Sequence, residues 1–202
     1  SLEIRQLRLV TQANERFHDL CWVLHKHPHA SALIFCNYKT TVVELMGALA
    51  AAGLSVGRLD GDMDQFRRDQ VLARFRNQSL RLLIATDVAG RGLDVQDLDL
   101  VINYELPQQS EIYVHRIGRT GRAGKKGLAI SLTTARQEER VVGIQRLTGK
   151  PMETLQRTHG NDPGLEALLA AIARPPVMET VLISGGRKDK IAEEAAAVAK
   201  LA

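Results

Sequence analysis

The sequence predicts an α/β domain: a mostly parallel sheet with helices against its faces. Two observations carry this. Short apolar runs alternate with amphipathic helical patterns along most of the chain. Several of those runs, SALIFC (31–36) and LRLLIATD (80–87) above all, are almost continuously apolar, the mark of strands covered on both sides.

The elements follow in order. RQLRLV (5–10) is a short strand with alternating character. ERFHDLCWVLHKH (15–27) has apolar residues at helical spacing and ends before Pro28. After the strand SALIFC, TTVVELMGALAAAG (40–53) is a helix stopped by Gly53. LSVGRLD (54–60) is a strand. DQFRRDQVLARFR (64–76) is an amphipathic helix expected to bury Phe66, Val71, Leu72 and Phe75 on one side. LRLLIATD and LDLVINYE (98–105) are strands, and SEIYVHRIG (110–118) is a helix. KGLAISLTT (126–134) is a strand, RQEERVVGIQRLTG (136–149) a helix, and METLQRT (152–158) a last short strand. Turn residues in HGNDPG and ARPP bracket a short helix, GLEALLAAIA (164–173), and an appendage follows Pro176.

A length of 202 residues suits one ordinary domain with a short extension. Lys and Arg number 27 against 23 Asp and Glu, and the net charge of +4 permits an anionic partner such as nucleic acid or a nucleotide phosphate. No apolar run is long enough to span a membrane, and SLEIRQLRLV has no apolar signal core. The two cysteines, Cys21 and Cys36, have neither metal spacing nor a disulfide framework. The default compartment is therefore the cytoplasm. His25, His27 and His29 lie close together, but Pro28 breaks the helix and no carboxylate or cysteine joins them nearby. They read as a solvated helix end, and no metal site is expected.

Parallel sheets place ligands beyond the C-terminal ends of their strands. The loops after Cys36, Asp60, Asp87 and Glu105 are thus the places to look. ATDVAGRGLDV (85–95) runs from a buried strand into a glycine-rich turn around Arg91. HRIGRTGR (115–122) sets Arg116, Arg119 and Arg122 three apart. On one helix face such charges repel unless an anion sits among them. The planar guanidinium fork suits phosphate oxygens. Yet the phosphate-cradling pattern fails. Gly118 and Gly124 are separated by five residues, Lys125 is followed by Lys126, and no acidic box for magnesium is present. Arginines suited to a polyphosphate without a loop to hold one point to fingers offered to a nucleotide bound elsewhere.

ALIFCNYKT (32–40), GDMDQFRRDQVLARF (61–75), ATDVAGRGLDV and YVHRIGRTGRAG (113–124) together resemble, in order, the motifs of the second RecA-like domain of DEAD-box RNA helicases. His115 matches the DEAD-box form of the last motif. The resemblance covers about residues 1–158 and implies a three-layer RecA-like fold. It implies that Arg119 and Arg122 are arginine fingers toward the ATP γ-phosphate, and that Asp94 meets the ribose. It implies that His115 links the nucleotide to the interdomain contact, with Arg116 supporting it on the nucleotide side. Arg91 and Asp87 would join the interdomain network. Asn37, Gly61, Gln65, Arg68 and Thr86 would lie along the RNA backbone. Two positions depart from the family pattern. Ala89–Gly90 stands for an alanine pair, and Tyr38 stands for a threonine, so that a stack on base or sugar replaces a hydroxyl contact there. ATP with Mg2+ would be held mainly by a missing first RecA-like domain. That domain and RNA are the expected partners, with no membrane involved.

Residues 159–177 read as a C-terminal helix and linker. METVLISGGRKDKI (178–191) resembles the entry into the RRM-like RNA-binding domain of DbpA-type bacterial members, which implies ribosomal RNA as a target and ribosome assembly as a setting. The remaining stretch, AEEAAAVAKLA, is too short to complete such a domain. A stand-alone RNA-binding module without an ATP cycle is the alternative. It has no use for a γ-phosphate sensor at Arg119 and Arg122.

Overall fold

The computed structural model describes residues 3–157, apart from Pro28, Ala30, Gly92, Arg122 and Ala123, together with residues 163, 164, 166 and 167. The appendage at 178–202 and most of 159–177 lie outside the described residues, as does the finger expected at Arg122.

Among the described residues seven strands form one sheet in the order β3-β4-β2-β5-β6-β1-β7. They are β1 (Ile4–Val10), β2 (Ala32–Cys36), β3 (Val56–Leu59), β4 (Leu82–Thr86), β5 (Leu100–Asn103), β6 (Gly127–Thr133) and β7 (Glu153–Thr154). Every pairing is parallel. Among the described residues the helices are α1 (Arg16–Lys26), α2 (Lys39–Ala51), α3 (Gln65–Arg76), α4 (Asp87–Gly90), α5 (Ser110–Ile117) and α6 (Glu138–Thr148). The single turn α4 lies in the glycine-rich segment that the sequence marks only as a tight connection. The Thr86 hydroxyl caps it by accepting the Ala89 N–H.

Alternate residues of β2 show the layering. Ala32, Ile34 and Cys36 join a core with Leu20 and Val23 of α1 and Val42, Leu45 and Leu49 of α2. Leu33 and Phe35 join another with Leu72 and Phe75 of α3. A third core holds Tyr113 and Ile117 of α5 with Val141 and Ile144 of α6. The sheet is thus sandwiched, which is why its central strands can be apolar on both faces. Both cysteines are buried, and burial raises the Cys21 thiol pKa to about 12 and the Cys36 thiol further.

One expectation about packing fails. Val71, Leu72 and Phe75 of α3 face the core, but Phe66 is 72% exposed. Nine residues, about two and a half helical turns, separate Phe66 from Phe75, so they stand on opposite sides of α3.

Candidate functional site

The site is built at the C-terminal ends of β2, β4 and β5, and Arg116 is its hub. The arginine is only 1% exposed, lodged at the end of α5 over the Phe35 ring at 5.3 Å. Burial of a guanidinium requires that every N–H find an acceptor. Its Nε and Nη2 donate to the two Asp87 carboxylate oxygens, both at 2.6 Å. Nη1 donates to Asn103 Oδ1 at 3.1 Å and to the Glu105 carbonyl at 2.8 Å. Nη2 also donates to Asn37 Oδ1 at 2.7 Å. These five bonds use all five donors of a guanidinium. The nucleotide contact expected of Arg116 is therefore corrected: it has no N–H left for a phosphate, and it clamps the three loops that form the edge.

Asn37 is drawn inward by the same clamp. Its backbone N–H donates to Glu105 Oε2 at 2.6 Å and its Nδ2 to the Leu106 carbonyl at 3.1 Å. Its side chain thus serves the protein interior, and the RNA contact expected of it has little polar capacity left. Asn103 and Glu105 were absent from the sequence-derived set. They sit in the apolar strand LVINYE, where the polar pair at the strand end was the available signal.

Around this hub the outward residues gather. His115, Arg91 and Asp94 are exposed, and Arg119 is half-buried. Phe35, Asp87, Gly90, Arg91, His115 and Arg119 line a shallow cleft of about 220 Å³. Binding pockets for small molecules usually run from about 300 to 1,000 Å³. The cleft is thus too small to enclose a nucleotide. A larger groove of about 540 Å³ opens between α5, α6 and the start of β1, and among the described residues His115 is the only site residue on its wall.

Three arginines hold the backbone of the 89–94 loop. Arg119 donates to the carbonyls of Leu93 at 2.5 Å and Gly90 at 3.4 Å. Arg68 reaches the Ala89 carbonyl at 3.1 Å from α3. Arg76 reaches the Asp94 carbonyl at 3.1 Å, so the Asp94 carboxylate remains at the surface. Gln65 donates to Asp69 at 2.8 Å, and Gly61 and Tyr38 are exposed at the ends of β3 and β2. The structure thus brings Arg91, His115 and Arg119 to one cleft, with Asp94 exposed on the adjoining 89–94 loop. Gly61, Gln65, Arg68, Thr86 and Tyr38 lie alongside, on the segments that follow β2, β3 and β4.

The arginine loop is pinned from beneath. Thr120 donates its hydroxyl to the Leu98 carbonyl, and Leu98 N–H donates to the Arg119 carbonyl at 3.2 Å. Gly121 has φ +74°, and a Cβ there would meet Ile4 Cγ1 at 2.7 Å and the Glu3 carbonyl at 3.1 Å. Gly121→Ala is expected to cost about 2 kcal/mol or more, from backbone hand and overpacking together. Gly124 has φ +77° but open space around it. Gly124→Ala should then cost only about 1 kcal/mol, the backbone contribution alone. Urea denaturation of the two variants checks the difference; equal losses would remove the steric argument.

The family described as the helicase conserved C-terminal domain matches residues 15–124. The ATP-dependent RNA helicase DbpA of Escherichia coli is 41% identical over 170 residues, covering 84% of this chain and 35% of that protein. The DEAD-box ATP-dependent RNA helicase CshA of Bacillus cereus is 40% identical over 152 residues, covering 75% of this chain and 29% of that protein. The chain thus spans about a third of these curated relatives. Among solved structures, a DEAD box protein from Methanococcus jannaschii superposes with TM-score 0.71 at 43% identity, covering 76% of this chain and 42% of that one. The Escherichia coli DEAD-box protein SrmB superposes with TM-score 0.72 at 32% identity, covering 81% of this chain and 99% of that one. With a fully parallel three-layer sheet, an arginine-lined edge and these relatives, the chain belongs to the helicase conserved C-terminal domain family, in the RecA-like form carried by DEAD-box RNA helicases.

Proposed function

We propose that this chain is the second motor domain of an ATP-dependent RNA helicase, acting on ATP held mainly by a first RecA-like domain. One observation carries the proposal. Arg119, His115 and Arg91 line a cleft of about 220 Å³, too small to enclose a nucleotide, and Asp94 is exposed on the adjoining loop. In this reading Arg119 and Arg122 stabilise charge on the γ-phosphate, and Asp94 binds the ribose. His115, Arg91 and Asp87 meet the first domain. Magnesium, where bound with ATP, screens phosphate charge and is held by that domain. Gly61, Gln65, Arg68 and Thr86 face RNA sugar and phosphate, with Asn37 supporting the loop from within. Contacts of that kind position the strand without reading its sequence. The full protein would unwind RNA in the cytoplasm. Ribosomal RNA and ribosome assembly are its proposed setting, supported by the likeness of 178–191 to DbpA-type proteins and by the similarity to DbpA itself.

The division of labour has a direct test. The purified chain should hydrolyse no ATP above a protein-free blank. Fused behind a first motor domain, it should confer RNA-stimulated turnover. Turnover by the chain alone would sink the proposal. Binding of the chain to a short RNA should weaken steeply and linearly in log–log plots against salt. Salt-sensitive RNA binding combined with a fusion that never turns over ATP would favour the stand-alone RNA-binding module instead.

A further inference from the structure

Gly127 opens β6 where the arginine loop comes down on the sheet. It is buried, and a Cβ built on it would lie 2.5 Å from the Gly121 nitrogen, 2.7 Å from Gly121 Cα and 2.8 Å from Thr120 Cγ2. The first two are backbone atoms, which no change of rotamer can clear. The contact is close from the loop side as well, since a Cβ on Gly121 would meet the Gly127 nitrogen at 3.4 Å. Backbone thus rests on backbone at this seat, and a side chain at 127 has no room.

Which side would give way follows from how each is held. β6 lies inside the sheet, between β5 and β1. Gly127 is in register with Ile4, and its N–H donates to the Glu3 carbonyl at 2.8 Å. Leu128, next to it, is in register with both Arg5 and Leu100, and Ala129 and Ile130 beyond are fully buried. The loop is tied more lightly. Thr120 and Arg119 bond Leu98, and the Arg119 side chain bonds the Leu93 and Gly90 carbonyls. A side chain at 127 would therefore shift the loop and leave the strand. Non-bonded heavy atoms settle near 3.5–4.0 Å, so the shift needed is on the order of 1 Å. Arg119 stands two residues before Gly121 and would move with it.

We propose that Gly127 is a positioning residue for Arg119. The absent side chain at the start of β6 sets how closely the finger loop seats on the sheet, and so where the guanidinium stands beside the cleft. The proposal rests on the finger reading of Arg119 given above. Placement matters at this scale, because a misplacement of about 1 Å can cost on the order of 10²-fold in rate.

The test uses a two-motor-domain protein carrying this chain, assayed well below the denaturation midpoint of each variant. Gly127→Ala should lower kcat on the order of 10²-fold and leave KM for RNA within about twofold. Gly57→Ala controls for overpacking by itself. Its Cβ would meet Leu80 Cδ1 at 2.7 Å and Val71 Cγ1 at 3.2 Å, on a strand four places from β6 in the sheet. That variant should lose stability and keep its kcat. A mutant cycle fixes the route: once Arg119 is alanine, Gly127→Ala should lower kcat by less than about threefold more, because both changes act on one group. An unchanged kcat for Gly127→Ala, or a loss that multiplies in full with that of Arg119→Ala, would overturn the proposal and leave the finger reading standing. Should Gly127→Ala fail to fold, Gly121→Ala decides, since it crowds the same seat from the loop side. A kcat loss that disappears in the Arg119→Ala background supports the proposal, and full turnover overturns it. An effect below about tenfold for Arg119→Ala alone would remove the finger reading, and this proposal with it.

Discussion

Arg116→Ala is expected to cost about 3–5 kcal/mol of folding stability, the largest single loss at this edge. The guanidinium is 1% exposed and bound twice by Asp87, which is itself mostly covered. Its removal strands the Asp87 carboxylate, Asn37 Oδ1, Asn103 Oδ1 and the Glu105 carbonyl at once. An acceptor left unpaired in a buried site costs more than the net worth of the bond it made. Lysine should recover little, because a point charge with three donors cannot bridge four acceptors in a plane. Urea denaturation of Arg116→Ala and Arg116→Lys gives the measurement. A loss under about 1 kcal/mol for alanine would mean that the loops hold themselves and that the clamp is incidental.

Arg119→Ala, in a two-motor-domain protein carrying this chain, is expected to lower ATP turnover on the order of 10³-fold. Its hydrogen bonds to Leu93 and Gly90 are neutral-acceptor bonds at a half-buried site, so their loss should cost only about 1–2 kcal/mol of stability. Turnover and stability thus separate finger from brace. A finger predicts a large fall in kcat with RNA affinity and denaturation midpoint little changed. A brace predicts that turnover, Asp94-dependent nucleotide affinity and stability decline together. A kcat effect below about tenfold would take Arg119 out of the finger role.

Arg116 and Arg119 show where reading a sequence succeeds and where it stops. They occupy the same octet, HRIGRTGR, three residues apart, and by type and spacing they are equivalent. The fold makes them different. One is swallowed with every donor used, and the other stays half open beside the cleft. Phe66 shows the same limit on α3. Its apolarity suggested the core, yet helical phase puts it opposite Phe75 and into solvent.

By itself the sequence determined the order of the main strands and helices and the parallel sheet. Those properties follow from local periodicity and from runs such as ALIFC and LLIAT that only a doubly covered strand can use. Only the tertiary structure decided which polar side chains face inward. Arg116 finds Asn37 across 79 residues and Asp87 across 29, and whether a donor is free depends on such distant acceptors. A charged group's role is set by what surrounds it once water is excluded, and that surrounding is assembled from segments no local pattern connects.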